Sequence, residues 1–211
     1  MTSKRERAKQ YRAWCENTRA AAHSNARALA LGLAGAALPI AQTYDLGIVL
    51  NPGERALHRC PAHYAWRGTV MWTTHHAQLL SSTISRDHTR TALYNEGVLD
   101  WLITDQRLTT RGPNREVVSI YWSAIQGVTV DLTADHVSLD GADDYHGELT
   151  GPAIAPIAVA AVACCHGPDA LLDHPALLKL RTRLMGPGAG GTSPVRLPEL
   201  PTRGRCRCSS R

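Results

Sequence analysis

The spacing of apolar positions changes character twice along this chain. From Lys4 to Leu38 the residues are mainly Ala, Arg, Glu and Leu, with no proline before Pro39, which predicts a helix. Its first half is polar nearly all round, so it is either solvated or waiting for a partner. Asn51-Pro52-Gly53 is a turn signal, and from Glu54 to Glu148 the pattern becomes that of strands. Ala56–Cys60 and Gly68–Thr73 predict the first strands. Val98–Thr104 predicts another, with Leu102 and Thr104 on one face and Trp101 and Ile103 on the other. Asp105-Gln106-Arg107 is a short connection to a partner strand over Leu108–Arg111, and Gly112-Pro113-Asn114 is a second turn. Val118, Ile120 and Trp122 then alternate with Val117, Ser119 and Tyr121. Val128, Val130 and Leu132 oppose Thr129 and Asp131, and Val137 and Leu139 continue that alternation. Tyr145–Leu149 closes the series.

No helix-length crossover separates these runs, so they predict an antiparallel meander. After Gly151-Pro152 the period lengthens. Ile154, Ile157, Ala158, Ala161, Val162 and Cys165 recur at helical spacing and predict one apolar helix face. His166-Gly167-Pro168 ends that helix, and a second is expected over Leu171–Leu184 with Pro175 in its first turn. From Gly186 the Gly/Pro/Arg-rich remainder lacks the apolar residues of a core and is expected to be disordered. The expected organisation is a basic helical N-terminal extension (1–50), a β domain with its C-terminal helix (51–180) and a basic tail (181–211). The fold class is α+β and mainly β: an antiparallel barrel or sandwich capped by a C-terminal helix, with an N-terminal helical extension.

Short antiparallel strands closed by one C-terminal helix are the outline of the pleckstrin-homology superfold. Within it, Leu102-Ile103-Thr104-Asp105-Gln106-Arg107-Leu108 resembles the strand–turn–strand signature of bacterial PH-like and GRAM-type domains. Trp122-Ser123-Ala124-Ile125, leading into Val128-Thr129-Val130, is similar to the segment that follows it in that family. The resemblance spans roughly residues 51–180. It implies a non-enzymatic module that binds a protein partner or an acidic membrane surface, with Arg107 and Trp122 as its signature positions. Thr104 and Asp105 suit backbone hydrogen bonding at the hairpin. Arg107 suits a reach to a neighbouring strand or a pairing with an acid, and Trp122 suits a buried anchor. A phosphoinositide-binding PH domain carries a cluster of Lys/Arg between its first two strands. Pro61–Gly68, read as that connection, holds only Arg67 beside His63.

Charge refines this picture. The overall +5 conceals +5 in residues 1–27, −7 in residues 28–178 and +7 in residues 179–211. Arg5, Arg7 and Arg12 at one end and Arg203, Arg205 and Arg207 at the other are therefore candidate electrostatic arms. They keep open a second reading, a nucleic-acid-associated protein gripping phosphates through its ends. The tail has no aromatic residue to stack on a base. The segment Ala28–Ala41 is too short and too broken by Pro39 to span a bilayer, and reads instead as a helix packing its small residues on the domain. The six cysteines lack a secreted disulfide spacing, which favours a reducing, cytoplasmic setting, with peripheral membrane attachment through the basic ends as an option.

Candidate chemistry is sparse. No nucleophile elbow, phosphate loop or His-Glu-x-x-His stands in the sequence, so no enzyme activity, small-molecule substrate or cofactor is expected. No metal site is expected either: neighbouring His75 and His76 would point to opposite faces of a strand, and Cys206-x-Cys208 lacks the usual zinc spacing. Cys164, Cys165 and His166 read as core cysteines and a helix-end histidine. Asp140, Asp143 and Asp144 read as a solvated turn.

Overall fold

The structure is a computed structural model that describes residues 3–35, 46–77, 83–112, 115–142, 144–178 and 180. Side chains are described for these except at 70–77, 83–90 and 172. It is α+β and mainly β. Helix α1 (Lys4–Leu33) is followed by strands β1 (Ala56–Ala77), β2 (Thr83–Thr104), β3 (Arg107–Arg111), β4 (Val117–Tyr121), β5 (Ile125–Asp131), β6 (His136–Gly141) and β7 (His146–Thr150). Helix α2 (Ala155–His166) and the short α3 (Ala170–Asp173) complete the order. The strands form one antiparallel sheet in the order β4-β3-β2-β1-β7-β6-β5, which curls into a half-barrel.

The first hairpin departs from expectation. Ala56–Cys60 and Gly68–Thr73 belong to one strand of 22 residues, β1, paired along its whole length with β2, also of 22 residues. β1 pairs with β7 only at residues 63–67, and β2 with β3 only at Leu102 and Ile103. The distal half of this hairpin is therefore a two-stranded ribbon that pairs with no third strand among the described residues. Residues 83–91, Thr-Ile-Ser-Arg-Asp-His-Thr-Arg-Thr, are nearly all polar in sequence, which is why this part of β2 carried no strand signal. Pro61 is tolerated inside β1 because it lies outside the stretch where β1 pairs with β7. Pro61–Gly68 is accordingly strand, and the connection between the first two strands lies at 78–82.

α2 also differs from its sequence pattern, which suggested one apolar face. Residues 155–163 are all buried, because α2 lies between the sheet and the second half of α1. Ala22, Ala26, Leu29 and Gly32 form the covering stripe on α1. Burying Leu29 alone stabilises this contact by about 1.5–3 kcal/mol. An ion pair adds a second tether: Arg19 Nε donates to Asp135 Oδ1 at 2.9 Å, joining α1 to the β5–β6 turn. Of the segment Ala28–Ala41, Leu29 and Gly32 are thus packed on the domain, and residues 36–41 lie outside the described ones. No helix among the described residues is long and apolar enough to cross a membrane.

The helix expected over Leu171–Leu184 is not continuous. α3 stops at Asp173, His174 is extended (ψ 118°) and a single 3-10 turn covers Pro175–Leu177. The cause is Pro175, whose ring drives the preceding residue out of the helical region. Residues 181–211, including the expected tail, lie outside the described residues.

Candidate binding site

The signature residues form a closed, satisfied knot. Glu54, just before β1, is buried and faces Arg107 at the start of β3. Arg107 Nε lies 2.9 Å from Glu54 Oε1, and its Nη2 lies 3.0 Å from Oε2, a two-pronged pair. Arg107 also donates to Val49 O at 3.0 Å, Ser119 Oγ at 3.2 Å and Tyr121 Oη at 3.3 Å. Its guanidinium sits 5.5 Å from the centre of the Tyr121 ring. Thr104 Oγ1 donates to Glu54 at 2.7 Å and accepts from the Arg107 N–H at 2.8 Å. Trp122 is buried with its Nε1 donating to Thr104 O at 2.9 Å. Burial alone would raise the Glu54 carboxyl, but the Arg107 guanidinium, the Asn51 N–H and the Thr104 hydroxyl outweigh it and hold it below the ordinary carboxylate range. Arg107 and Trp122 therefore bind strand to strand, with their polar atoms already engaged.

The candidate arms are split. Arg5, Arg7 and Arg12 lie on the first turns of α1, where residues 3–14 are exposed. Arg203, Arg205 and Arg207 lie outside the described residues. On the same turns Tyr11 and Trp14 are exposed and stacked on each other at 5.8 Å.

The half-barrel is open at the end formed by the middle of β1 and β2, the β3–β4 turn and the β6–β7 turn. A cleft of about 360 Å³ lies there, lined by Tyr64, Trp66, Glu96, Leu99, Gly112, Glu116, Val118, Ser119, Ile120 and Tyr145. A backbone irregularity makes one wall. Tyr64 pairs with Gly97 and Ala65 with Asn95, so Glu96 has no partner across the ladder: it is a bulge. Gly97 permits it, since its φ of +76° is a conformation side-chain-bearing residues avoid. Asn95 Oδ1 accepts the Gly97 N–H at 3.0 Å. Glu96 accepts the Trp66 indole N–H at 3.2 Å, and the indole stacks on Tyr94 at 4.4 Å and 17°.

The facing wall is Tyr145, from the β6–β7 turn. Its hydroxyl lies 3.0 Å from that of Tyr64, whose ring meets Trp101 edge-on at 5.0 Å. A side chain at Gly147 would begin 2.3 Å from the Tyr145 hydroxyl, so the ring lies across β7 only because that position is glycine. Burial raises both phenols, which stay neutral donors and acceptors. Leu99 and Ile120 make an apolar floor.

On the other side of Tyr145 a second cleft of about 340 Å³ is lined by Arg67, Thr91, Asp140, Gly141, Asp144, Tyr145 and His146. His146 Nδ1 lies 2.6 Å from Asp140 Oδ1, and its Nε2 lies 3.3 Å from Glu148 Oε1. The hydrogen bond to Asp140, with help from Glu148, raises the imidazole above its ordinary value. Both ring nitrogens face carboxylates, Asp140 across the ladder and Glu148 on the same strand, so the ring bridges two strands and neither nitrogen is left free as a general base.

Cys164 and Cys165 lie half-buried against the core, with Cys165 Sγ 3.9 Å from Trp122 O, and His166 stands in the last turn of α2. Burial pushes the thiols of Cys60 and Cys164 up to about 12, so they stay protonated and unreactive. Among the described residues no three His, Cys, Asp or Glu side chains are grouped to hold a metal ion. The side chains of His75 and His76, with Asp143, Cys206 and Cys208, lie outside those described. Comparison with protein-family models, with curated proteins and with solved structures gave no match for the chain.

Proposed function

We propose that this chain is a non-enzymatic interaction module of PH/GRAM-like type that binds a protein partner at the open end of its half-barrel. The observation that carries this reading is the cleft between Trp66 and Tyr145, an apolar floor between aromatic walls that are held in place before any ligand arrives. Supporting it are the sheet order, the closing helix α2, and the places of Arg107 and Trp122 in the hairpin knot. Ser119 is the hydroxyl nearest to a nucleophile in this cleft, and it is engaged with Thr109 Oγ1 at 2.9 Å and with Arg107. A site with fixed walls, two carboxylates and no activated nucleophile beside them suits recognition better than turnover.

The test is photo-crosslinking in the producing cell from a benzophenone side chain at Val118 in the cleft, with Val49 as an exposed reference position. A discrete adduct from Val118, lost on Tyr145→Ala, is the expected result. Adducts of equal yield from both positions would remove the open end from the reading.

The exposed first turns of α1 favour a second reading. Arg7, one turn before Tyr11, shares a helix face with the exposed Tyr11–Trp14 pair, and Arg5 and Arg12 carry positive charge round the same turns, which suits a phosphate polymer whose bases can stack. Co-sedimentation with DNA across a salt range separates the two. A steep salt slope abolished by Arg5→Gln, Arg7→Gln and Arg12→Gln together would favour the arms.

A further inference from the structure

Resting on the interaction-module reading, we propose that the open cleft accepts a cationic side chain, an arginine or lysine of an extended peptide segment, and excludes phosphate. Among the described residues the lining carries two carboxylates, Glu96 and Glu116, and no lysine or arginine. Glu96 cannot retreat, because the bulge and the indole N–H hold it at the rim. Glu116 stands over Gly112, where a side chain would begin 2.0 Å from its carboxylate oxygen, so the glycine keeps that position open. A phosphate would meet both negative charges. The neighbouring cleft across Tyr145 sets Asp140 and Asp144 against Arg67 and His146, so it adds no comparable excess of negative charge.

The aromatic walls supply the complementary half. A guanidinium or ammonium is drawn to the faces of Trp and Tyr rings, more strongly where water is displaced. The Trp66 indole is held between Tyr94 and the Glu96 carboxylate, so little side-chain freedom is lost when a ligand arrives. The floor of Leu99 and Ile120 suits the methylene stem of a long basic residue. A carboxylate accepts several hydrogen bonds, and the indole uses one of Glu96's, so the bidentate fit of a guanidinium is available. β4, which contributes Val118, Ser119 and Ile120, is the last strand on its side of the sheet. Its outer backbone groups run beside the cleft and suit an extended chain. A peptide segment uses both features, whereas a free amine uses only the first.

The test is calorimetric titration of the full chain with tetra-arginine amide, with its neutral isostere tetra-citrulline amide and with inositol hexaphosphate. The Trp66 indole N–H resonance, assigned through Trp66→Phe, reports the place of binding. Saturable binding of the arginine peptide that moves this resonance is expected, with at least tenfold loss in Glu96→Gln/Glu116→Gln. No effect is expected from the citrulline peptide or the polyphosphate. A full chain with Arg203→Gln, Arg205→Gln and Arg207→Gln serves as a second acceptor, so that the chain's own arginines cannot mask the site.

Equal affinity for citrulline, indifference to the Gln pair, no binding to either acceptor, or a Trp66 shift with inositol hexaphosphate would each overturn the proposal. Crosslinking from Val118 that persists beside any of these would leave the interaction module standing and remove only its ligand class. The Glu→Gln changes lie at the rim, and unchanged circular dichroism and melting temperature confirm that the fold is retained.

Discussion

Two places in this molecule bring carboxylates against aromatic rings. At the Thr104–Arg107 hairpin, Glu54 is buried, paired twice with Arg107 and bonded by Thr104 and the Asn51 N–H, while Tyr121 and Trp122 cover the pair. At the open end, Glu96 and Glu116 line a cleft walled by Trp66 and Tyr145, and no cation is among its described lining residues. The residue types are nearly the same, and only the completion differs. Where every donor has its acceptor the cluster holds strands together. Where the counter-charge is missing and water has access, the same chemistry is left over for something else to complete.

Breaking the hairpin knot should have the largest effect. Arg107→Ala strands the buried Glu54 carboxylate and should cost about 3–5 kcal/mol in urea-induced unfolding. A loss under about 1 kcal/mol would mean that water reaches Glu54. Acid attacks the same point. Because Glu54 is held below its ordinary value in the fold, its contribution is complete above about pH 4.3 and is lost as pH falls through the folded value. Stability measured against pH should therefore fall in acid, and the slope should flatten in Glu54→Gln. His146 works in the opposite sense: its raised value favours the fold below about pH 6.5, and that share is lost as pH rises through the folded value.

The open end should respond less. Gly97→Ala forces a side chain into a left-handed backbone and should cost about 1–2 kcal/mol. The indole resonances of the variant would also show Trp66 released from Glu96. The smallest effect belongs to Glu116→Gln, which should leave stability within about 0.5 kcal/mol while removing one charge from the cleft. A cost approaching that of Arg107→Ala would erase the contrast between the two sites.

The hairpin side of the knot was legible before the structure because its parts are adjacent or follow a motif, whereas its acid, Glu54, fifty residues upstream of Thr104, was not. Thr104, Arg107 and Trp122 lie within nineteen residues of one another, and the alternation around them names their strands. α2 was legible from its helical period, and packing of the small residues after Ala28 on the domain was expected, but the extension of that cover back to Ala22 and Ala26 was not, since single alanines in a polar stretch give no strong apolar signal. The cleft was not legible at all. Glu96 owes its place to a one-residue slip opposite Tyr64 and Ala65, which no hydrophobic pattern records. Trp66 and Tyr145 are nearly eighty positions apart and meet only because β1 and β7 pair with Trp66 opposite Gly147. A register is a property of two strands together, and a reading of one strand at a time does not contain it.

The long ribbon has a mechanical consequence. β1 and β2 run without a break from the ladder beside β7 and β3 out to Ala77 and Thr83, about ten residues, or roughly 33 Å, past the end of the β1–β7 pairing. The bulge at Glu96 sits near the fulcrum of that lever. Torque applied at the far end would pass along paired backbones to the first point where the ladder has slack, beside Trp66 and Tyr94. Whatever grips the ribbon also has a hand on the cleft.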